Sequence, residues 1–174
     1  MGFQTAVQIN QGFGVPGELY TDAPYRAQPF TIVSALATYN VIGATACTIT
    51  SQGICEAGAG GDFGFAGILI DPKQVALFGA GGIPLNPTLT VPNNTIVECL
   101  TMGTIIVTLP GVADIGDWVI YDDVTGALDT VAAGTSDPGM GKSWANAIVD
   151  YYTVTGAGLA VITVTPSTGQ PLAA

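Results

Sequence analysis

The residues with the most chemical capacity are five aspartates, Asp114, Asp117, Asp122, Asp123 and Asp129, which lie close together in the chain. Two opposed acids in a cleft would suit glycoside hydrolysis, and a ring of oxygens would suit calcium. Neither pattern is completed. Nothing in the sequence marks a cleft, the stretch has no EF-hand spacing, and few asparagines supplement its carboxylates. The reading that follows is a set of solvated turn acids. The cysteines, Cys47, Cys55 and Cys99, form no C-x-x-C pair, so neither a structural zinc site nor a thioredoxin-like redox site is expected. Cys47 and Cys99 sit in apolar runs and read as buried free thiols; Cys55, beside turn residues, reads as more exposed. The chain has no histidine, which removes Ser-His-Asp and Cys-His nucleophile pairs and HExxH helices together. The glycine clusters at 58–61 and 79–82 lack the Lys-Ser/Thr of a phosphate loop and a following helix, so they read as flexible loops. No catalytic residue, metal ligand or cofactor site is expected.

The elements around these residues are short bursts of β-branched and aromatic residues separated by Gly, Pro, Asn and Asp. That is the pattern of an all-β chain, a small antiparallel β-barrel or sandwich. Strands are expected at 30–38, 41–50, 66–70, 74–78, 95–100, 103–109, 117–121, 127–131, 145–154 and 158–165. Val124-Thr125-Gly126 and Gly156-Ala157-Gly158 are placed as hairpin turns. Trp144, Ala147, Ile148 and Tyr151 recur at helical spacing, but Tyr151-Tyr152-Thr153-Val154 favours strand, and strand is preferred. Residues 1–30 read as an extended N-terminal arm and 31–174 as one barrel or sandwich domain. A Gly/Pro-rich insertion at about 58–92 reads as an excursion from the barrel. The arm's prolines argue against a sheet interior, and its scattered Phe3, Val7, Ile9, Phe13, Leu19, Tyr20 and Tyr25, with Arg26, are the expected partner-interface residues.

Composition limits the partners. The formal net charge is −10, and Arg26, Lys73 and Lys142 are the only cations. Three scattered cations cannot neutralise a run of phosphates, so nucleic acid and anionic membrane surfaces are both disfavoured. Charged residues make up only 9% of the chain against 48% hydrophobic. A surface so poor in charge is expected to be covered in part by other subunits. The uncharged stretches are interrupted by Pro, Gly, Asn and Thr and do not read as membrane spans. The opening Met1-Gly2-Phe3-Gln4-Thr5 shows no basic segment leading into an apolar one, so no secretory signal is expected.

The opening Gly2-Phe3-Gln4-Thr5-Ala6-Val7-Gln8-Ile9-Asn10, then Val15-Pro16-Gly17-Glu18 and Asp22-Ala23-Pro24-Tyr25-Arg26-Ala27, resembles the N-terminal signature of tailed-phage capsid cement, or decoration, proteins. Weaker similarity continues at Gly116-Asp117-Trp118-Val119-Ile120-Tyr121, at Thr125-Gly126-Ala127-Leu128 and at Gly158-Leu159-Ala160-Val161-Ile162. The resemblance implies a small barrel with an N-terminal arm, itself clustered as a homotrimer on the outer surface of the virion. There it would grip the major capsid protein and carry no catalytic residues. Two rival readings are a phage surface adhesion or carbohydrate-binding module using Trp118 and Trp144, and a hydrolase using Asp114 and Asp117.

Overall fold

The computed structural model describes residues 14–20, 24–58, 64–70 and 89–166. These residues form β1 (Arg26–Ile32), β2 (Ala46–Ser51), β3 (Ile54–Ala57), β4 (Phe65–Ile70), β5 (Thr95–Leu109), β6 (Trp118–Asp122), β7 (Leu128–Val131), β8 (Lys142–Asp150) and β9 (Gly158–Val164). A single 3-10 turn, Ala37–Tyr39, follows β1. The chain is all-β, as its composition predicts.

Five strands close on themselves. The order β1-β3-β2-β4-β5 returns from β5 to β1, with β1 and β3 parallel and every other pair antiparallel. Closure leaves this barrel without an unpaired edge along its closed section. A second sheet, β5-β9-β8-β6-β7, grows from the same long strand. Residues 95–102 of β5 pair with β1 in the barrel, and 103–109 pair with β9 in the second sheet. The sequence pattern predicts two strands here, 95–100 and 103–109; the structure has one. Gly103 has φ +133, and a Cβ there would come within 2.9 Å of Tyr25 Cβ. It therefore marks a close approach where the strand changes sheets, not a turn.

The two inner surfaces are read from the alternation of side chains. Phe30, Ile32, Cys47, Cys55, Leu69, Val97 and Cys99 fill the barrel interior together with Ile42 and Val91. The opposite faces of β2, β4 and β5 carry Ala46, Ile68, Ile70 and Leu100, which pack against Ile105, Val107, Val119, Tyr121, Val149 and Ile162 of the second sheet. Each fully buried Ile or Leu contributes about 1.5–3 kcal/mol, so the interface between barrel wall and sheet is a core in its own right. β4 keeps both faces supplied through a bulge. Cys47 pairs with Gly67 and Thr48 with Phe65, so Ala66 is the extra residue and turns into the barrel beside Leu69.

Several expectations need correction. β3 was not expected: four residues between Gly53 and Gly58 are too short to show alternation. Cys55, expected to be more exposed, lies on β3 and is fully buried. The first expected strand is shifted toward the N-terminus, so the boundary drawn between arm and domain at residue 30 falls inside β1. Pro29 is tolerated there because that part of β1 pairs on one side only. Its neighbour is Glu98 of β5, and β3 joins β1 only at Thr31 and Ile32. The 58–92 stretch is not wholly an excursion, since β4 within it is a barrel strand and Val91 is buried in the interior. The strand expected at 74–78 lies outside the described residues. Hairpins form at both expected turns: Gly126 has φ +71 between β6 and β7, and β8 pairs with β9 across the 156–158 turn.

Candidate partner-binding face

Of the expected interface residues, Phe3, Val7, Ile9 and Phe13 lie outside the described residues, while Leu19, Tyr20, Tyr25 and Arg26 are placed. Leu19 packs against the core between the sheets and bridges Ile105. Backbone bonds from Gly17 N–H to Ile106 O, Ile106 N–H to Glu18 O and Tyr20 N–H to Thr104 O run beside it, at 2.8, 2.9 and 3.0 Å. This segment lines β5 where the strand has left the barrel and would otherwise present unpaired N–H and C=O groups. The Leu19 part of the arm thus docks on its own chain.

Tyr20 opens onto the surface. Its ring lies 5.1 Å from that of Tyr151 and 6.1 Å, edge-on, from that of Tyr152, and the Tyr20 and Tyr152 hydroxyls are 2.6 Å apart. That hydroxyl contact raises the Tyr20 pKa above its ordinary value, with burial adding to the effect. Tyr151 and Tyr152 are half exposed, and Tyr151 holds a left-handed backbone with φ 58. Such a conformation costs a non-glycine residue about 1–2 kcal/mol. It is supported by an N–H bond to Asp150 Oδ1 at 2.9 Å and by the Tyr20 ring. The loop bearing exposed Val112 and Ile115 is tied to the same region. Ala113 and Val154 exchange backbone bonds, and Gly116 N–H donates to Val149 O. The result is a patch of tyrosine rings and aliphatic side chains set on paired backbone. Tyr25 and Arg26 are exposed at the start of β1, where Gly103 lets β5 pass close to Tyr25.

The carboxylates of Asp117, Asp122, Asp123 and Asp129 all have partners within the chain. Asp117 Oδ2 accepts the Asp114 N–H at 2.8 Å, and Asp129 pairs with Lys142 at 2.6 Å. Asp123 accepts from Ser143 Oγ at 2.7 Å. Asp122 Oδ1 accepts the N–H and hydroxyl of Thr125 and the N–H of Val124, contacts that hold its carboxyl below the usual range. Asp117 and Asp122 are committed to their own turns, whereas Asp123 and Asp129 are tied to β8 through Ser143 and Lys142. Trp118 and Trp144 meet at 5.3 Å nearly perpendicular to one another and are half-buried.

Sequence reasoning named Tyr20 and missed Tyr151 and Tyr152 as its partners, because they were read as the end of a strand. The αL backbone at Tyr151 leaves no trace in composition.

Comparison with known proteins places this architecture. A chain of the capsid of Myoviridae Phage XM1 shares the fold with a TM-score of 0.58 at 16% identity, over 95% of this chain and 98% of that one. None of the curated proteins matches. The family model for the structural cement protein (E217 gp24/Pam3 gp6) matches residues 3–165. That family is a structural one, not an enzyme class, and its members are components of the phage virion. With its barrel, appended sheet and nearly complete match to the family model, the chain belongs to the phage structural cement proteins.

Proposed function

We propose that this cement protein binds the outside of an icosahedral capsid as a homotrimer and stabilises the lattice by clamping adjacent major capsid protein subunits. The observation that carries the reading is the patch of Tyr20, Tyr151 and Tyr152. Rigid aromatic side chains supply contact area at little cost in conformational entropy, and here a left-handed residue aims one of them outward. The segment Gly14–Tyr20 delivers the chain to that patch from residues 1–13, where Phe3, Val7, Ile9 and Phe13 offer further anchors. Each contact is modest; several on one lattice raise the effective concentration of the others. A net charge of −10 suits a face turned away from packaged nucleic acid.

The test is to add purified protein to shells that lack it and measure occupancy by electron cryo-microscopy. The paired change Tyr20→Ala and Tyr152→Ala, and separately removal of residues 1–13, should leave the strand signal in circular dichroism intact while lowering occupancy at least tenfold. Undiminished occupancy in both variants, or density on the inner wall, would refute the clamp. Light scattering of the free protein checks the trimer.

A further inference from the structure

The chain has three cysteines, and the fold brings all of them to one point. Cys47 comes from β2, Cys55 from the adjacent β3, and Cys99 reaches across the barrel from β5. Their Sγ atoms all lie within 4.8 Å of one another, and none of the three residues has accessible surface. They are separate thiols, not a disulfide. Ile32, Ile42, Leu69, Val91 and Val97 belong to the same buried cluster, and their side chains carry no donor atom. The sequence spacing argued against zinc, yet the fold gathers the three sulfurs all the same. Zinc completes a structural site with four ligands, the chain has no histidine, and the ligand cluster among the described residues contains three sulfurs and nothing else.

Three soft donors without a fourth suit a different ion. We propose that Cys47, Cys55 and Cys99 form a three-coordinate thiolate site, inside the barrel, for a soft thiophilic metal ion such as Cu(I) or Cd(II). Thiolates select ions of this class over hard cations. With metal–sulfur bonds of about 2.3 Å, a trigonal arrangement places the sulfurs about 4.0 Å apart. The present separations need contract by no more than about 0.8 Å to reach it. Binding a divalent ion exchanges three S–H bonds for three metal–sulfur bonds and releases three protons, with no change in oxidation state. The ion would be enclosed as the barrel closes, because β3 meets β1 through only two residue pairs and is the wall most easily completed last. Such a site would tie the β2–β3 hairpin to β5 across the barrel.

Cadmium chloride is the probe. The full chain, unfolded in urea with a phosphine reductant, is refolded with and without one equivalent of Cd(II). The expected result is a sulfur-to-cadmium charge-transfer band that saturates at one ion per chain, with a rise in melting temperature of roughly 5 °C or more. Cys99→Ala and Cys47→Ala should each abolish the band. Should those variants fail to fold, X-ray absorption of the cadmium-loaded wild-type chain still decides: three sulfur neighbours are expected. Oxygen or nitrogen neighbours, no band on refolding, or a band that survives either substitution would overturn the site and leave three buried thiols that only pack.

Discussion

Gly67 sits where barrel closure leaves no room for a side chain, and Gly67→Ala should be strongly destabilising. Two costs combine. Its φ of +132 lies where an L-residue is strained, worth about 1–3 kcal/mol. The new Cβ would also lie 2.5 Å from Leu100 O, 2.8 Å from Leu100 C and 3.0 Å from Cys99 C. Those atoms are β5 backbone, held in the β4 ladder by the Ile68–Leu100 and Leu69–Cys99 pairs, and cannot rotate away as a side chain would. Overpacking of this kind adds about 1–3 kcal/mol, for a sum of about 2–6 kcal/mol against a typical total stability of about 5–15 kcal/mol. A chain of this size would melt roughly 10 °C lower. Two controls separate the causes. Gly64→Ala shares a positive φ of +92 but has open space around it, so it should lose only about 1 kcal/mol. Gly111→Ala has neither strain nor neighbour and should stay within about 0.5 kcal/mol of wild type. Urea and thermal unfolding followed by circular dichroism measure all three. If Gly67→Ala melts together with Gly64→Ala, the backbone contact with β5 is not limiting and the account of closure is wrong.

Two further predictions concern pH. Asp122 has a depressed carboxyl, chiefly through the Thr125 N–H, so the stability it lends is present above about pH 4 and is lost as pH falls through its folded value. Asp122→Ala should cost about 1 kcal/mol at neutral pH, reduced from the buried case by solvent exposure. The difference in urea midpoint between this variant and wild type should narrow as pH falls through the folded value. Tyr121 is raised above its ordinary value, first by burial, with Ser143 opposing and the Asp123 charge assisting. Stability linked to it is intact below about pH 10 and falls as pH climbs through the folded value. Between about pH 9 and about pH 11 the wild-type urea midpoint should drop further than that of Tyr121→Phe, and equal drops would count against the assignment.

How much of this could be read beforehand follows from the range of each interaction. β6 to β9 were legible because their signals are local: alternating side chains, Gly126 at a left-handed turn, and Gly156 and Gly158 where β9 begins. The β8 segment is a strand despite its helical spacing, but it ends at Asp150, before the Tyr151-Tyr152 pair whose strand tendency decided the reading. Local signals misled at Gly103 and Pro29, where residues that usually break a strand sit inside one because the neighbouring chain accommodates them. β3 was missed for want of length. The convergence of the cysteines and the contact of Tyr20 with Tyr152, 132 residues away, arise from barrel closure and from the docking of the N-terminal segment. Neither event has a sequence period.

The passage of β5 through both halves has a mechanical consequence. A pull that separates the barrel from the appended sheet would load the ladders of this 15-residue strand along its length. Its hydrogen bonds to β1 and β4 at one end and to β9 at the other lie across the strand direction. Under that load they share the force and yield together in shear, instead of opening one after another like a zipper. A joint built in this way gives little before it fails.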